Sequence, residues 1–142
     1  MYCKNLKERE GNMTILNELF RCNICGNVVE VTHEGIDSLV CCGEDMEKLK
    51  VNEANHENYH YAHIKTINKI DDWEVKKISF NHEMTPEHHI EFIEAISNDG
   101  IHLKRKYLSA NEPAEMTLKC SCKQGFYVRL YCNRDGVWIT KQ

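Results

Sequence analysis

Arg21-Cys22-Asn23-Ile24-Cys25-Gly26, followed further on by Leu39-Val40-Cys41-Cys42-Gly43, is the stretch on which the reading of this chain turns. A Cys-x-x-Cys turn and an adjacent Cys pair offer four thiolates to one tetrahedral metal, and soft sulfur donors favour iron or zinc. The glycine after Cys25 relieves the backbone where amides approach sulfur. Neighbouring side chains of a strand point to opposite faces. Cys41 and Cys42 can therefore face one ion only if the backbone bends sharply between them. Around the cysteines, Leu19-Phe20, Val28-Val29-Glu30-Val31 and Leu39-Val40 are short and rich in β-branched residues, which predicts two or three small strands joined by turns. A unit as small as residues 19–49 cannot bury enough surface to hold itself together without a staple such as metal.

Working outward, 142 residues allow one ordinary domain, or one small and one medium. A formal charge of −4 gives no reason to expect nucleic acid or an anionic membrane as partner. No apolar run approaches the ~20 residues that span a bilayer. The start, Met1 to Glu10, is polar and lacks the apolar segment of a secretory signal, so the cytoplasm is the expected compartment. Eight cysteines in a secreted protein would predict disulfides; in a reducing compartment, clustered Cys and His predict metal. Residues 1–18 read as a mobile or loosely helical lead-in in which Cys3 is an incidental thiol, and residues 50–60 read as a linker.

Beyond the linker, residues 61–142 carry short runs with strand patterning: His63 to Ile70, Trp73 to Phe80, His88 to Ile96, Ile101 to Leu108, Glu115 to Ser121, Gly125 to Cys132 and Val137 to Thr140. Turn signals such as Asn98-Asp99-Gly100, Asn111-Glu112-Pro113 and Arg134-Asp135-Gly136 separate them. Many short strands with regular turns predict an antiparallel β-sandwich. The whole is expected to be mostly β.

The residues from Arg21 to Val31, then Gly35-Ile36 and Leu39 to Met46, resemble the desulforedoxin domain of desulfoferrodoxins. The resemblance implies a distorted, rubredoxin-like iron tetrathiolate on Cys22, Cys25, Cys41 and Cys42 that exchanges single electrons. In the second half, His82-Glu83-Met84-Thr85-Pro86-Glu87-His88-His89-Ile90-Glu91-Phe92-Ile93-Glu94 resembles the family's His-Pro-Met-x3-His-x-Ile-Glu-Trp-Ile-Glu segment. Tyr131-Cys132-Asn133-Arg134-Asp135-Gly136-Val137-Trp138 is similar to its Tyr-Cys-Asn-x-His-Gly-x-Trp. His63 fits the family's first histidine. By this resemblance His63, His82, His88 and Cys132 would hold a non-haem iron that reduces superoxide, with Asp135 standing where the family has its fourth histidine. His60 or His89 are alternative sources of that imidazole. A further departure is Tyr61-Ala62, ahead of His63, in place of a Glu-Lys pair, with Lys65 on the same strand face as His63. Glu83 likewise replaces a proline.

The resemblance implies a rubredoxin-type unit followed by an immunoglobulin-like antiparallel sandwich, superoxide as substrate, a small donor such as rubredoxin, and a homodimer. Two other functions remain open on the residues: a non-enzymatic electron-transfer or redox-sensing iron protein with a degenerate second site, and a zinc-stabilised binding module. His33, His56 and His102 read as solvated positions, Cys120 and Cys122 as unassigned thiols, and Trp73 and Trp138 as core residues or covers of the iron site.

Overall fold

A computed structural model describes residues 13–121 and 123–142; Cys3 and Cys122 lie outside the described residues. The chain divides into two compact units at Leu49/Lys50. No helix occurs among the described residues.

The first unit holds β1 (Leu19–Arg21), β2 (Val28–Glu30), β3 (Val40–Cys41), β4 (Glu44–Asp45) and β5 (Glu47–Lys48). They form a three-stranded sheet, β2-β1-β5, and the two-stranded ribbon β3-β4. Strands this short bury little: Leu19, Cys22 and Val31 are its buried apolar residues, while Ile24, Ile36 and Val40 stand exposed. The described end of the lead-in, residues 13–18, is not loose. Thr14 donates its backbone N–H to Gly35 O at 3.0 Å, Asn17 donates to Val31 O at 2.8 Å, and Met13 bridges to Ile36.

The second unit holds β6 (Val51–Glu53), β7 (His63–Ile70), β8 (Trp73–Ser79), β9 (Ile90–Ser97), β10 (Leu103–Tyr107), β11 (Glu115–Cys120), β12 (Phe126–Cys132) and β13 (Gly136–Thr140). A five-stranded sheet, β10-β9-β12-β13-β6, and a three-stranded sheet, β11-β8-β7, enclose a core of Ile78, Phe80, Ile90, Ile93, Ala95, Met116, Val128 and Leu130. Alternation along β12 sends Val128, Leu130 and Cys132 inward. On the opposite face, Arg129 donates from Nε and Nη2 to the fully buried Glu94 carboxylate at 3.0 and 3.1 Å.

Three expectations change. The stretch read as a linker contributes β6, which pairs in parallel with β13 (Val51 opposite Val137). The strand expected from His88 begins at Ile90, leaving His88 and His89 in the preceding turn. Trp73 is neither core nor cover: it is half exposed at a strand end, with Lys119 Nζ 5.5 Å from its ring centre.

Candidate metal centres

In the first unit Cys22 follows β1 and opens a tight turn, in which Gly26 donates N–H to Cys22 O and Cys22 donates to Asn27 O, both at 2.9 Å. Gly26 takes φ 81°, a left-handed conformation that suits glycine. The bend expected between the adjacent cysteines is present: Cys42 has φ 53° and Gly43 φ 77°. That reversal brings both sulfurs to one side, with Cys41 Sγ 3.6 Å from Cys25 Sγ and 4.0 Å from Cys42 Sγ. The sulfurs of Cys22, Cys25, Cys41 and Cys42 all lie within 4.8 Å of one another.

Their electrostatics fit a cation. Backbone N–H groups of Cys25 and Ile24 aimed at the Cys22 sulfur lower its pKa to about 6. The neighbouring thiols of Cys25 and Cys22 push Cys41 up to about 12, and they raise Cys42 as well. Thiols this crowded resist joint ionisation until a metal neutralises them, which is the condition a tetrathiolate site meets.

The second cluster assembles residues from four separate places: His60, His82, His88, Cys132 and Asp135, whose donor atoms again lie within 4.8 Å of one another. His60 sits in the turn after β6, buried to 2% exposure, with its ring stacked on Trp138 at 4.6 Å. Asn58 Oδ1 accepts both the His60 backbone N–H, at 2.7 Å, and Nδ1, at 3.0 Å. His82 and His88 lie on the β8–β9 connection. Glu83 serves both: its backbone oxygen meets His82 Nδ1, and its Oε2 lies 3.1 Å from His88 Nδ1.

The pattern is consistent across the three imidazoles. Each has Nδ1 on an acceptor outside the cluster, so each turns Nε2 inward. Acceptors on the far nitrogen of each ring fix the tautomer that leaves a lone pair for a metal. His82 Nε2 is buried without a hydrogen-bond partner, and His60 Nε2 is buried with only the Asp135 carboxylate near it and no well-aligned hydrogen bond, an arrangement costly for polar atoms unless something binds there. Burial, then the neighbouring His82, lowers the His60 pKa to about 4, and burial lowers that of His82 also. Both rings are thus kept neutral, the form that ligates.

Cys132 ends β12 on the inward face, where the pairing with β9 shifts register between Tyr131 and Cys132. The thiol is fully buried, and burial raises its pKa. The Asp135 backbone N–H points at its sulfur at 3.4 Å. Gly136, at φ 79°, closes the β12–β13 hairpin and sets Asp135 beside Cys132. Asp135 Oδ2 lies 2.9 Å from His88 Nε2, 3.3 Å from His60 Nε2 and 3.7 Å from Cys132 Sγ. Burial pushes the Asp135 pKa up, but the His88 hydrogen bond and the charges of His60 and His88 outweigh it and bring the carboxyl below its usual range. Asn133 clamps hairpin to loop: its backbone N–H donates to His89 O at 3.1 Å, and its Oδ1 accepts the His89 N–H at 3.0 Å.

The residues expected from the sequence divide accordingly. His82, His88, Cys132 and Asp135 come together; His63 does not. His63 heads the edge strand β7, where alternation buries Ala62 and turns His63 out to solvent beside Asn81, 3.4 Å away. Its place is taken by His60, three positions earlier. The residues ahead of the clustered histidine are therefore Asn58 and Tyr59, not Tyr61 and Ala62. Lys65 is exposed on β7 and belongs to neither cluster. His89 Nδ1 donates to Thr85 O at 3.0 Å, outside the cluster. Cys120, read as an unassigned thiol, is disulfide-bonded. Sequence reading missed the supports Asn58, Glu83 and Tyr59. The one available signal was the run of polar and aromatic residues directly flanking His60.

Residues 14–49 match the family model described as Desulfoferrodoxin, N-terminal domain, and residues 52–141 match the one described as Desulfoferrodoxin. A desulfoferrodoxin homolog of Methanothermobacter thermautotrophicus is 35% identical over 89% of this chain and 99% of its own length. The desulfoferrodoxin of Nitratidesulfovibrio vulgaris is 36% identical over 85% of this chain and 93% of its own. Desulforedoxin of Megalodesulfovibrio gigas is 55% identical over 22% of this chain and 84% of its own length. Among solved structures, a Thermotoga maritima protein described as a candidate superoxide reductase aligns with TM-score 0.51 and 17% identity, over 65% of this chain and 95% of the other. At that identity the likeness speaks for the fold.

Proposed function

The chain belongs to the desulfoferrodoxin family, and from that premise we propose that it is an iron-dependent superoxide reductase. Iron is the metal of this family, and the two donor sets suit it. The observation that carries the reading is the convergence of three Nε2 atoms, one thiol and one carboxylate, with two of those nitrogens buried and neither in a well-aligned hydrogen bond.

Bound at the second cluster, iron would supply the single electron that turns superoxide, with two protons, into hydrogen peroxide. The protein's part is to keep His60 and His82 neutral by burial and to orient all three imidazoles through Asn58 and Glu83. Cys132, once deprotonated by the metal, adds anionic charge to the donor set. Asp135 adds a harder donor. The side chain of Asp135 is 29% exposed, so water can bring protons to this edge of the site. Cys22, Cys25, Cys41 and Cys42 would hold the second iron, which exchanges electrons with a small donor of the rubredoxin class. Cytoplasmic location and a homodimer belong to the same proposal. Among the described cysteines five are free thiols, Cys120 being the exception, which suits a reducing compartment, and exposed Ile36 and Val40 would gain from pairing.

A second reading, an electron carrier or redox sensor without catalysis, draws on Asp135 itself, since a carboxylate replaces an imidazole. Anaerobic iron counting with spectra before and after oxidation separates the two. Two irons per chain, a new thiolate-to-iron band on oxidation, and superoxide consumption above a free-iron control are expected. One iron confined to the four cysteines, with no such consumption, would establish the second reading instead.

A further inference from the structure

Tyr59 has no part in the donor set, yet it touches more of that set than any of its supports does. Its ring centre lies 4.4 Å from that of His60, 5.5 Å from His82 and 6.2 Å from His88. Its hydroxyl donates to Asp135 Oδ2 at 3.4 Å. The residue is 48% exposed, so one side of the ring meets water while the other lies against the imidazoles.

We propose that Tyr59 is the positioning residue for Asp135 and the cover of the cluster's solvent edge, tuning how the carboxylate binds metal there. The physical basis is that Asp135 Oδ2 is pulled three ways, toward His88, His60 and Cys132. An unrestrained carboxylate on a hairpin loop could rotate out to water. A phenol hydroxyl on Oδ2 draws electron density from the oxygen and limits that rotation. Loss of an outer-shell partner of a metal-binding carboxylate typically weakens metal affinity 10- to 100-fold. The ring adds a second effect: packed against three imidazoles, it shields their edges from water. The inference rests on this cluster being a metal site, and not on superoxide being its substrate.

The test is Co(II) uptake by the full chain, comparing wild type with Tyr59→Phe, Asp135→Ala and the double variant, by chelator competition and visible spectra. Wild type is expected to take two Co(II), one at the four cysteines and one at the second cluster. Tyr59→Phe, which keeps the ring, should weaken the second event about tenfold and shift its single-thiolate band, with the four-cysteine spectrum unchanged as the internal control. In the Asp135→Ala background the Phe substitution should have no further effect, because the hydroxyl acts through that carboxylate. Equal Co(II) affinity and spectrum in wild type and Tyr59→Phe would overturn the inference, as would an undiminished effect without Asp135. A wild type that binds Co(II) only at the cysteines overturns it too. Normal Co(II) results with no superoxide consumption would leave Tyr59's role standing and remove the catalytic reading alone.

Discussion

The two clusters are built by opposite means. In the first unit, four cysteines from one short stretch meet because two positive-φ bends, at Gly26 and at Cys42-Gly43, fold the chain back on itself. Its strands are two or three residues long and enclose almost no core. In the second unit, a sandwich with fully buried Ile78, Ile90, Ile93 and Leu130 exists independently of the cluster at its rim. Turns and a hairpin anchored on that sandwich deliver His60, His82, His88, Cys132 and Asp135. A metal would thus make the first unit and merely occupy the second.

The largest effect follows from that contrast. Chelating all metal, or replacing Cys22 and Cys25 by serine, should unfold residues 14–49, because structural metal binding contributes on the order of 10 kcal/mol to small metal-stapled domains. The sandwich should keep its dispersed amide spectrum under the same treatment. Loss of both units together would break the comparison.

Next in size is the histidine pair. His60→Ala should weaken metal at the second cluster by on the order of 100-fold or more, since a ligand costs at least as much as an outer-shell partner. His63→Ala should change it little, because that side chain faces solvent. Equilibrium metal titration of the two variants reads the difference.

Acid should act on the second cluster in one direction. A histidine whose folded pKa is depressed to about 4 binds fewer protons folded than unfolded. Stability contributed by neutral His60 is therefore complete above an unfolded pKa of about 6.5 and falls as pH drops from there toward 4. Asp135, also depressed, adds loss of the same sign at still lower pH. Thermal midpoints of the metal-free sandwich should fall across that window. A flat profile would show that His60 is not held in its buried, neutral state. The smallest effect is expected at Gly136, whose φ of 79° disfavours a side chain. Gly136→Ala should cost about 1–2 kcal/mol by denaturant midpoint and loosen Asp135.

The contrast also explains what the sequence could reveal. The four cysteines are local, and their spacing alone required the bend that Cys42 and Gly43 supply. The β character and most strand positions follow from alternation, though β9 begins at Ile90 and not at His88, and β6 lies in a stretch that reads as linker. Val51-Asn52-Glu53 carries no strand signal of its own; its partner β13 lies at the far end of the chain. His60 and His63 pose the same difficulty. Both are histidines near the start of a strand, and only the observed frame of β7, with Ala62 buried, decides which one turns inward. Glu83 and Tyr59 act through contacts with residues distant in sequence or in a neighbouring turn, which no local pattern encodes.

The most direct test of the central claim is superoxide consumption by iron-loaded His60→Ala and His63→Ala chains, side by side with wild type and a free-iron control. The account predicts that His63→Ala consumes superoxide as wild type does while His60→Ala falls to the free-iron level, the four-cysteine spectrum being the same in all three. Equal activity in wild type and His60→Ala, or loss in His63→Ala alone, would contradict it.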